Sequence, residues 1–277
     1  MALTKLFVPR LLNSDQVPSW YAHNDYIHTG YRPVTKSFVL CVESLAYLHN
    51  ETVNIYSHLV PAVLAALLGN YVLARHFNSH FPKAFWKDQL VFHIHSTTSV
   101  VCFGISDLWG CLDYVTIVLQ ILGSFISGIY VGSYCEPNLQ KNYWSMVHRH
   151  LSFLAGFIVL NPRLQGTKSK NIRLSAFVAT GFSAFAPIIH AACIFPYEQL
   201  DKQAGLRYYY LEGLLIIIGV MLYATHFPES WKPERFDIWG ASRQIFHSFI
   251  VLGVFTHLYG ALDAFEWNYV NQRCRPH

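Results

Sequence analysis

Apolar residues in this chain gather into long unbroken runs separated by short polar segments, rather than alternating at the period of a half-buried strand. A run of about 20 apolar residues is the length a helix needs to cross the hydrocarbon of a bilayer. Seven such tracts can be marked, at 53–75, 88–106, 112–134, 143–161, 172–195, 208–227 and 241–261. Pro187 and the scattered glycines do not break the pattern, because neighbouring helices re-satisfy a freed backbone group inside a bundle. Ahead of the first tract, residues 37–51 mix Val39, Leu40, Leu45 and Leu48 with Glu43 and His49, as in an amphipathic helix lying at the membrane interface. The pattern therefore predicts an all-α membrane protein, a seven-transmembrane helix bundle with an N-terminal interfacial helix. Its parts are an N-terminal segment over 1–52, the spanning domain over 53–265 and a short tail over 266–277.

Composition agrees with the pattern. Of the 277 residues, 53% are hydrophobic, 16% aromatic and only 13% charged, and the mean hydropathy is +0.26. The net charge of +4 is spread over loops and tails and gives no reason to expect a nucleic-acid partner. Orientation follows from Lys and Arg at the span ends. With the N-terminus inside, the inner segments hold eleven of the 20 basic residues, and the first segment and the 162–173 loop supply four each. That asymmetry predicts a cytosolic N-terminus and a far-side C-terminus. Cys41, Cys102, Cys111, Cys135, Cys193 and Cys274 show no CxxC spacing and read as unpaired, small apolar residues. The first 21 residues lack the continuous apolar core of a signal peptide, and the C-terminal NQRCRPH carries no lipidation or retrieval signal.

Ionisable residues inside a span are expensive and mark a candidate site. Arg243 and His247 stand at i and i+4 near the start of the seventh tract, so they share one helix face. The N-in topology brings Ser106 (end of span 2), Asp113 (start of span 3), His58 (span 1) and His226 (end of span 6) to the same inner depth. Carboxylate and imidazole groups converging inside a bundle are what a zinc site requires, with one position left for a water whose pKa the metal lowers. The competing expectation is a plain ion pair between Arg243 and Asp113, with Asp107 as the second choice of carboxylate. His93, His95, His190 and His257 read as hydrogen-bonded core residues. His95 lies about 16 Å from the inner end of its span, at 1.5 Å per residue, too far to join His247.

Several ordered motifs carry a resemblance over nearly the whole chain. They are Trp20 to Pro33 (WYAHNDYIHTGYRP), His49 to Leu59 (HNETVNIYSHL), Leu112-Asp113-Tyr114 with GSFISGIYVGSYC at 123–135, Pro187-Ile188-Ile189-His190, and FPESWKPERFDIWGASRQIFH at 227–247. Together they resemble the progestin-and-adipoQ-receptor superfamily, which includes adiponectin receptors, hemolysin III-like proteins and fungal zinc-homeostasis proteins. The resemblance implies seven spans, a cytosolic N-terminus, and a zinc ion held near the cytosolic face by three histidines. One of these ends an S-x-x-x-H motif in span 2, and two come from S-H-Q-x-F-H in span 7. An aspartate starting span 3 contacts the zinc-bound water. The implied chemistry is amide hydrolysis of ceramide-like lipids, tied to receptor signalling or to lipid and zinc homeostasis.

The sequence departs from that pattern at the metal. His247 matches one span 7 ligand, but Arg243 stands where the other belongs. Ser106 can match the serine of the span 2 motif, yet its histidine is absent, and only Asp107 to Gly110 turn the chain toward Asp113. A connection that short still joins two helices. Asp113 and Ser106 are thus the candidate catalytic residues and His247 the single matching metal ligand. A guanidinium in the second ligand position is a fixed positive charge with no acceptor. Two functions compete: a zinc-dependent intramembrane amidohydrolase, and a seven-span receptor or regulator of lipid or zinc homeostasis. Either would take membrane lipids as partners, ceramide-like or fatty-acid in kind, at the plasma membrane or endoplasmic reticulum. A transporter is disfavoured, since no inverted repeat or broken-helix pair is visible.

Overall fold

The computed structural model describes residues 10–19, 21–22, 24–35, 37–105, 113–160, 170–183 and 185–271. Most of those residues are helical, with no extended strand and a single antiparallel bridge between Leu12 and Tyr31. The helices are α1 (Phe38–Glu43), α2 (Thr52–Leu64), α3 (Asn70–His80), α4 (Trp86–Ile105), α5 (Asp113–Gly132), α6 (Pro137–Leu160), α7 (Lys170–Phe182), α8 (Phe185–Ile194), α9 (Tyr197–Ala204), α10 (Leu206–Thr225) and α11 (Ser242–Asn271). Every apolar tract of the sequence thus carries helix. By length and apolarity, α10 and α11 can each cross a membrane, as can α2 with α3 if that pair, bent by 45°, is one span.

The departures from the sequence reading have local causes. A π turn over Ala65–Gly69 separates α2 from α3, and Pro61 inside α2 removes one backbone donor just upstream. The fifth tract is two helices, α7 and α8. Pro187 falls in the first turn of α8, where an N–H would lack an intrahelical partner anyway. The interfacial helix expected over 37–51 is only α1 and a 3-10 turn at Ser44–Ala46, after which Tyr47 is extended. The last helix runs on through Asn271, beyond the apolar run. Asn268, 2% exposed, holds it there by donating to the carbonyls of Val131, Gln203 and Ala264. Cys41 and Cys193 are free, but Cys135 is disulfide-bonded, which corrects its reading as an unpaired apolar residue. It follows the last turn of α5, outside the apolar run, where a thiol is accessible for pairing.

The chain divides into two compact units. The larger, Leu59–Leu215 with the chain from Val251, has an aromatic centre in which Phe77, Phe81, Phe92 and Phe265 pack at 5.1–5.8 Å between ring centroids. Its helices approach closely where glycine leaves room, as small residues permit in membrane bundles. A Cβ on Gly260 would collide with the Cβ of Tyr208, and one on Gly123 with the Thr98 hydroxyl. The smaller unit joins the chain up to His58 with Ile216–Ile250. Most candidate residues lie in it.

Candidate functional site

The smaller unit is built on buried carboxylates. Glu229, fully buried, accepts hydrogen bonds from Asn24 Nδ2 (3.1 Å), from the Ser242 backbone N–H (2.7 Å) and from the Ser242 hydroxyl. Asp237, 3% exposed, accepts from the backbone N–H groups of His28 (3.2 Å) and Thr29 (2.8 Å) and from the Thr29 hydroxyl (2.6 Å). These two side chains tie the 24–29 segment to the loop before α11 and fix where that helix starts. Gly240 (φ 82°) turns the chain there, and the Gln244 side chain closes the turn, accepting from Gly240 N and donating to Ile238 O.

On this frame α2 and α11 present the site. The His58 and His247 rings stack almost parallel, 4.0 Å between centroids and 10° between planes. Both are buried, and Nδ1 of His247 has no hydrogen-bond partner. One turn before His247, Arg243 Nη1 donates to both carboxylate oxygens of Glu51, each at 3.3 Å. Glu51 also accepts from Asn54 Nδ2 at 2.6 Å. Glu51, Asn54 and His58 follow helical spacing, which puts them on one face of the α2 entry. Just outside, His49 is buried beside Arg32, and burial together with that guanidinium pushes its pKa down to about 4. Its Nδ1 accepts from the Glu51 backbone N–H at 3.1 Å, a bond that only an unprotonated Nδ1 can make.

The structure therefore brings together His58, Arg243 and His247, as the depth argument expects. His226 faces elsewhere, toward the Tyr26 ring and Glu229. Asp113 opens α5, with its side chain outside what is described, and Ser106 and Asp107 lie outside the described residues. Glu51, which sequence reasoning passed over, is a carboxylate bound to Arg243, while the expected Arg243–Asp113 pair falls outside what is described. The signal was present: Glu51 stands three and seven residues ahead of Asn54 and His58, in register with them.

These residues do not fit a zinc ion. Imidazole lone pairs lie in the ring plane, so two rings stacked nearly parallel cannot both direct a nitrogen at one metal about 2.0–2.1 Å away. Among the described residues, no three His, Cys, Asp or Glu side chains converge as a metal site needs. Arg243 adds a permanent positive charge one turn from the remaining ligand.

A second polar cluster lies in the larger unit. His257 bonds Ser127 Oγ through Nε2 (2.9 Å) and Glu212 through Nδ1 (3.0 Å), and its ring stacks against that of buried His95. Ser127 has the geometry of neither an exposed nucleophile nor a strained one. It sits inside α5, 1% exposed, and its hydroxyl also reaches its own helix carbonyls at Gly123 and Ser124. His93 meets Asn70 and His190 meets the Tyr143 hydroxyl. These groups interlock helices.

Residues 46–258 match the family model described as "Haemolysin-III related". The chain is 31% identical over 280 residues to "ADIPOR-like receptor IZH2" of Saccharomyces cerevisiae, covering 96% of this chain and 87% of that protein. It is 30% identical over 272 residues to "Adiponectin receptor protein" of Drosophila melanogaster, covering 93% of this chain and 60% of the fly protein. With "Progestin and adipoQ receptor-like protein 1" of Caenorhabditis elegans the identity is 31% over 288 residues, 98% of this chain and 65% of the worm protein. The chain thus spans less than two thirds of the animal relatives and most of the yeast one.

Proposed function

We propose that this chain, which belongs to the haemolysin-III-related family of membrane proteins, is a receptor-like regulator of lipid signalling and of lipid or zinc homeostasis rather than a zinc hydrolase. The carrying observation is the Arg243–Glu51 pair in the position where the family resemblance expects a metal ligand. The relatives whose names include "receptor" lend it the signalling half of the reading. Its ligand class is a membrane lipid, ceramide-like or a fatty acid. The chain crosses the membrane seven times from a cytosolic N-terminus, at the plasma membrane or endoplasmic reticulum, with α1 at the inner interface.

The disulfide supports that orientation. With the N-terminus inside, α5 begins at the cytosolic face and ends at the far face, just before Cys135. Disulfides persist in oxidising compartments, which is where this topology puts Cys135. Terminal tags in a protease-protection assay test it, with the N-terminal tag cleaved only after the membrane is opened from the cytosolic side.

The regulator reading is tested with purified protein in vesicles containing a labelled ceramide. The expected outcome is fatty-acid release no faster than from the Asp113→Asn protein. Release that the Asp113→Asn change abolishes would instead make the chain a ceramide amidohydrolase.

A further inference from the structure

Arg243 occupies the first turn of α11, the end of a helix where the aligned peptide dipoles already place partial positive charge. A cation there is unfavourable unless an anion holds it. Glu51 supplies that anion from the N-terminal entry of α2, an end where a carboxylate is itself favoured. Each partner therefore removes a cost that the other would carry alone. The side chains are 29% and 21% exposed, so the pair is shielded from water without being sealed. Beside it, His58 and His247 lie face to face, their rings packed on each other.

We infer that the Arg243 guanidinium is a built-in cation that takes the place of a metal ion, joining α2 to α11 through Glu51 and making the site metal-independent. The inference deepens the regulator reading and rests on it for the position of the site. A divalent cation entering here would meet a guanidinium and the positive ends of two helices, with Glu51 already engaged. Among the described residues, neither a second imidazole at the right angle nor a further carboxylate on α2 is offered in exchange. The same charge that excludes the ion does its structural work. A lysine would keep the charge but not the planar fork, so Arg243→Lys tests geometry and Arg243→Gln tests charge.

The experiment uses the full chain, expressed with added zinc and purified in detergent. Its readouts are zinc content by elemental analysis and the melting temperature with and without a chelator. The inference expects zinc far below one per chain and a melting temperature that the chelator leaves in place. Arg243→Gln and Glu51→Gln should each lower the melting temperature by roughly 3–12 °C, the worth of one charge-assisted hydrogen-bonded contact. The Glu51→Gln/Arg243→Gln double variant should fall by much less than the sum, because no charge is left uncompensated. If the single variants fail to fold, the double variant and the wild-type chelator test still decide the matter. About one zinc per chain, with chelation lowering the melting temperature, would overturn the built-in cation, as would additive losses. Neither result touches the lipid-regulator reading, which the ceramide assay judges separately.

Discussion

Glu229 is the residue whose loss the structure expects to be felt furthest. It is fully buried and accepts three hydrogen bonds, two from Ser242 at the head of α11 and one from Asn24 in the N-terminal segment. Bonds to a charged acceptor contribute about 1.5–3 kcal/mol each, and a buried donor left without a partner costs about 1–3 kcal/mol. Ser242 is itself fully buried, so its backbone N–H cannot turn to water. Replacing Glu229 by alanine also removes the charge, and with it the cost of keeping a carboxylate out of water. The net loss should therefore be about 3–5 kcal/mol, well short of the sum of the three bonds. For a chain of this size that is a fall of roughly 6–20 °C in melting temperature. Intrinsic tryptophan fluorescence during heating in detergent reads it, since Trp231 and Trp239 sit in the same loop. Ser242→Ala, which keeps the backbone bond, should cost about 1 kcal/mol, and the double variant less than the two losses added. A shift below about 2 °C for Glu229→Ala would mean that the 24–29 segment and the α11 start do not depend on this carboxylate.

His49 makes the smaller unit sensitive to acid. Its folded pKa of about 4 lies below the ordinary value of 6.5, so the unfolded chain binds the extra proton first. Stability is then full above pH ~6.5 and is lost by up to about 3 kcal/mol as pH falls toward ~4. His49→Gln should flatten that part of a melting-temperature profile against pH, and an unchanged slope would assign the acid sensitivity elsewhere. Gly260→Ala should destabilise by about 1–3 kcal/mol, because the new methyl meets the Tyr208 Cβ, and a neutral result in a thermal melt would deny the close approach of α10 and α11. Cys135→Ser on a non-reducing gel should migrate like the reduced wild-type protein, and identical migration of wild type with and without reductant, checked by thiol labelling, would deny the disulfide.

The helices and their order are legible from the apolar runs alone, because a run long enough to span a membrane has few other ways to satisfy its backbone. What the runs do not show is where a helix breaks or continues. The division at Ala65–Gly69 and the extension of α11 to Asn271 depend on backbone donors and on one buried amide, not on hydropathy. The same holds for α1. The side chains of residues 37–51 suit an interfacial helix, but Ser44, 1% exposed, gives its hydroxyl to Cys41 O and receives Arg32, and the helix ends there. At the site, the i, i+4 spacing located Arg243 and His247 on one face, and span order brought in His58. The Glu51 partner was out of reach, since span order ranks depth but not azimuth. Cys135 carries no local signal at all: a disulfide is a property of two chain positions, and spacing reports only neighbours.

His257 and His247 call for different readings, although both are ionisable groups on the same apolar helix. In the larger unit His257 spends both ring nitrogens, on Ser127 and Glu212, and its face on His95. Every hydrogen-bonding group of that ring is engaged with another helix. Such a residue fixes helix–helix register, and in hydrocarbon its alternative is an unsatisfied group. In the smaller unit the His247 Nδ1 is buried without a partner, and the nearest turn of its own helix carries a cation bound to a glutamate. That nitrogen is not used up by packing, a condition it shares with both ring nitrogens of buried His95 in the larger unit. A histidine kept in that condition, beside an ion pair that holds two helix ends, is poised to answer a polar group arriving from outside the helix pair. The proposed regulatory role therefore falls to the Arg243–His247 turn, where the ion pair joins two helix ends.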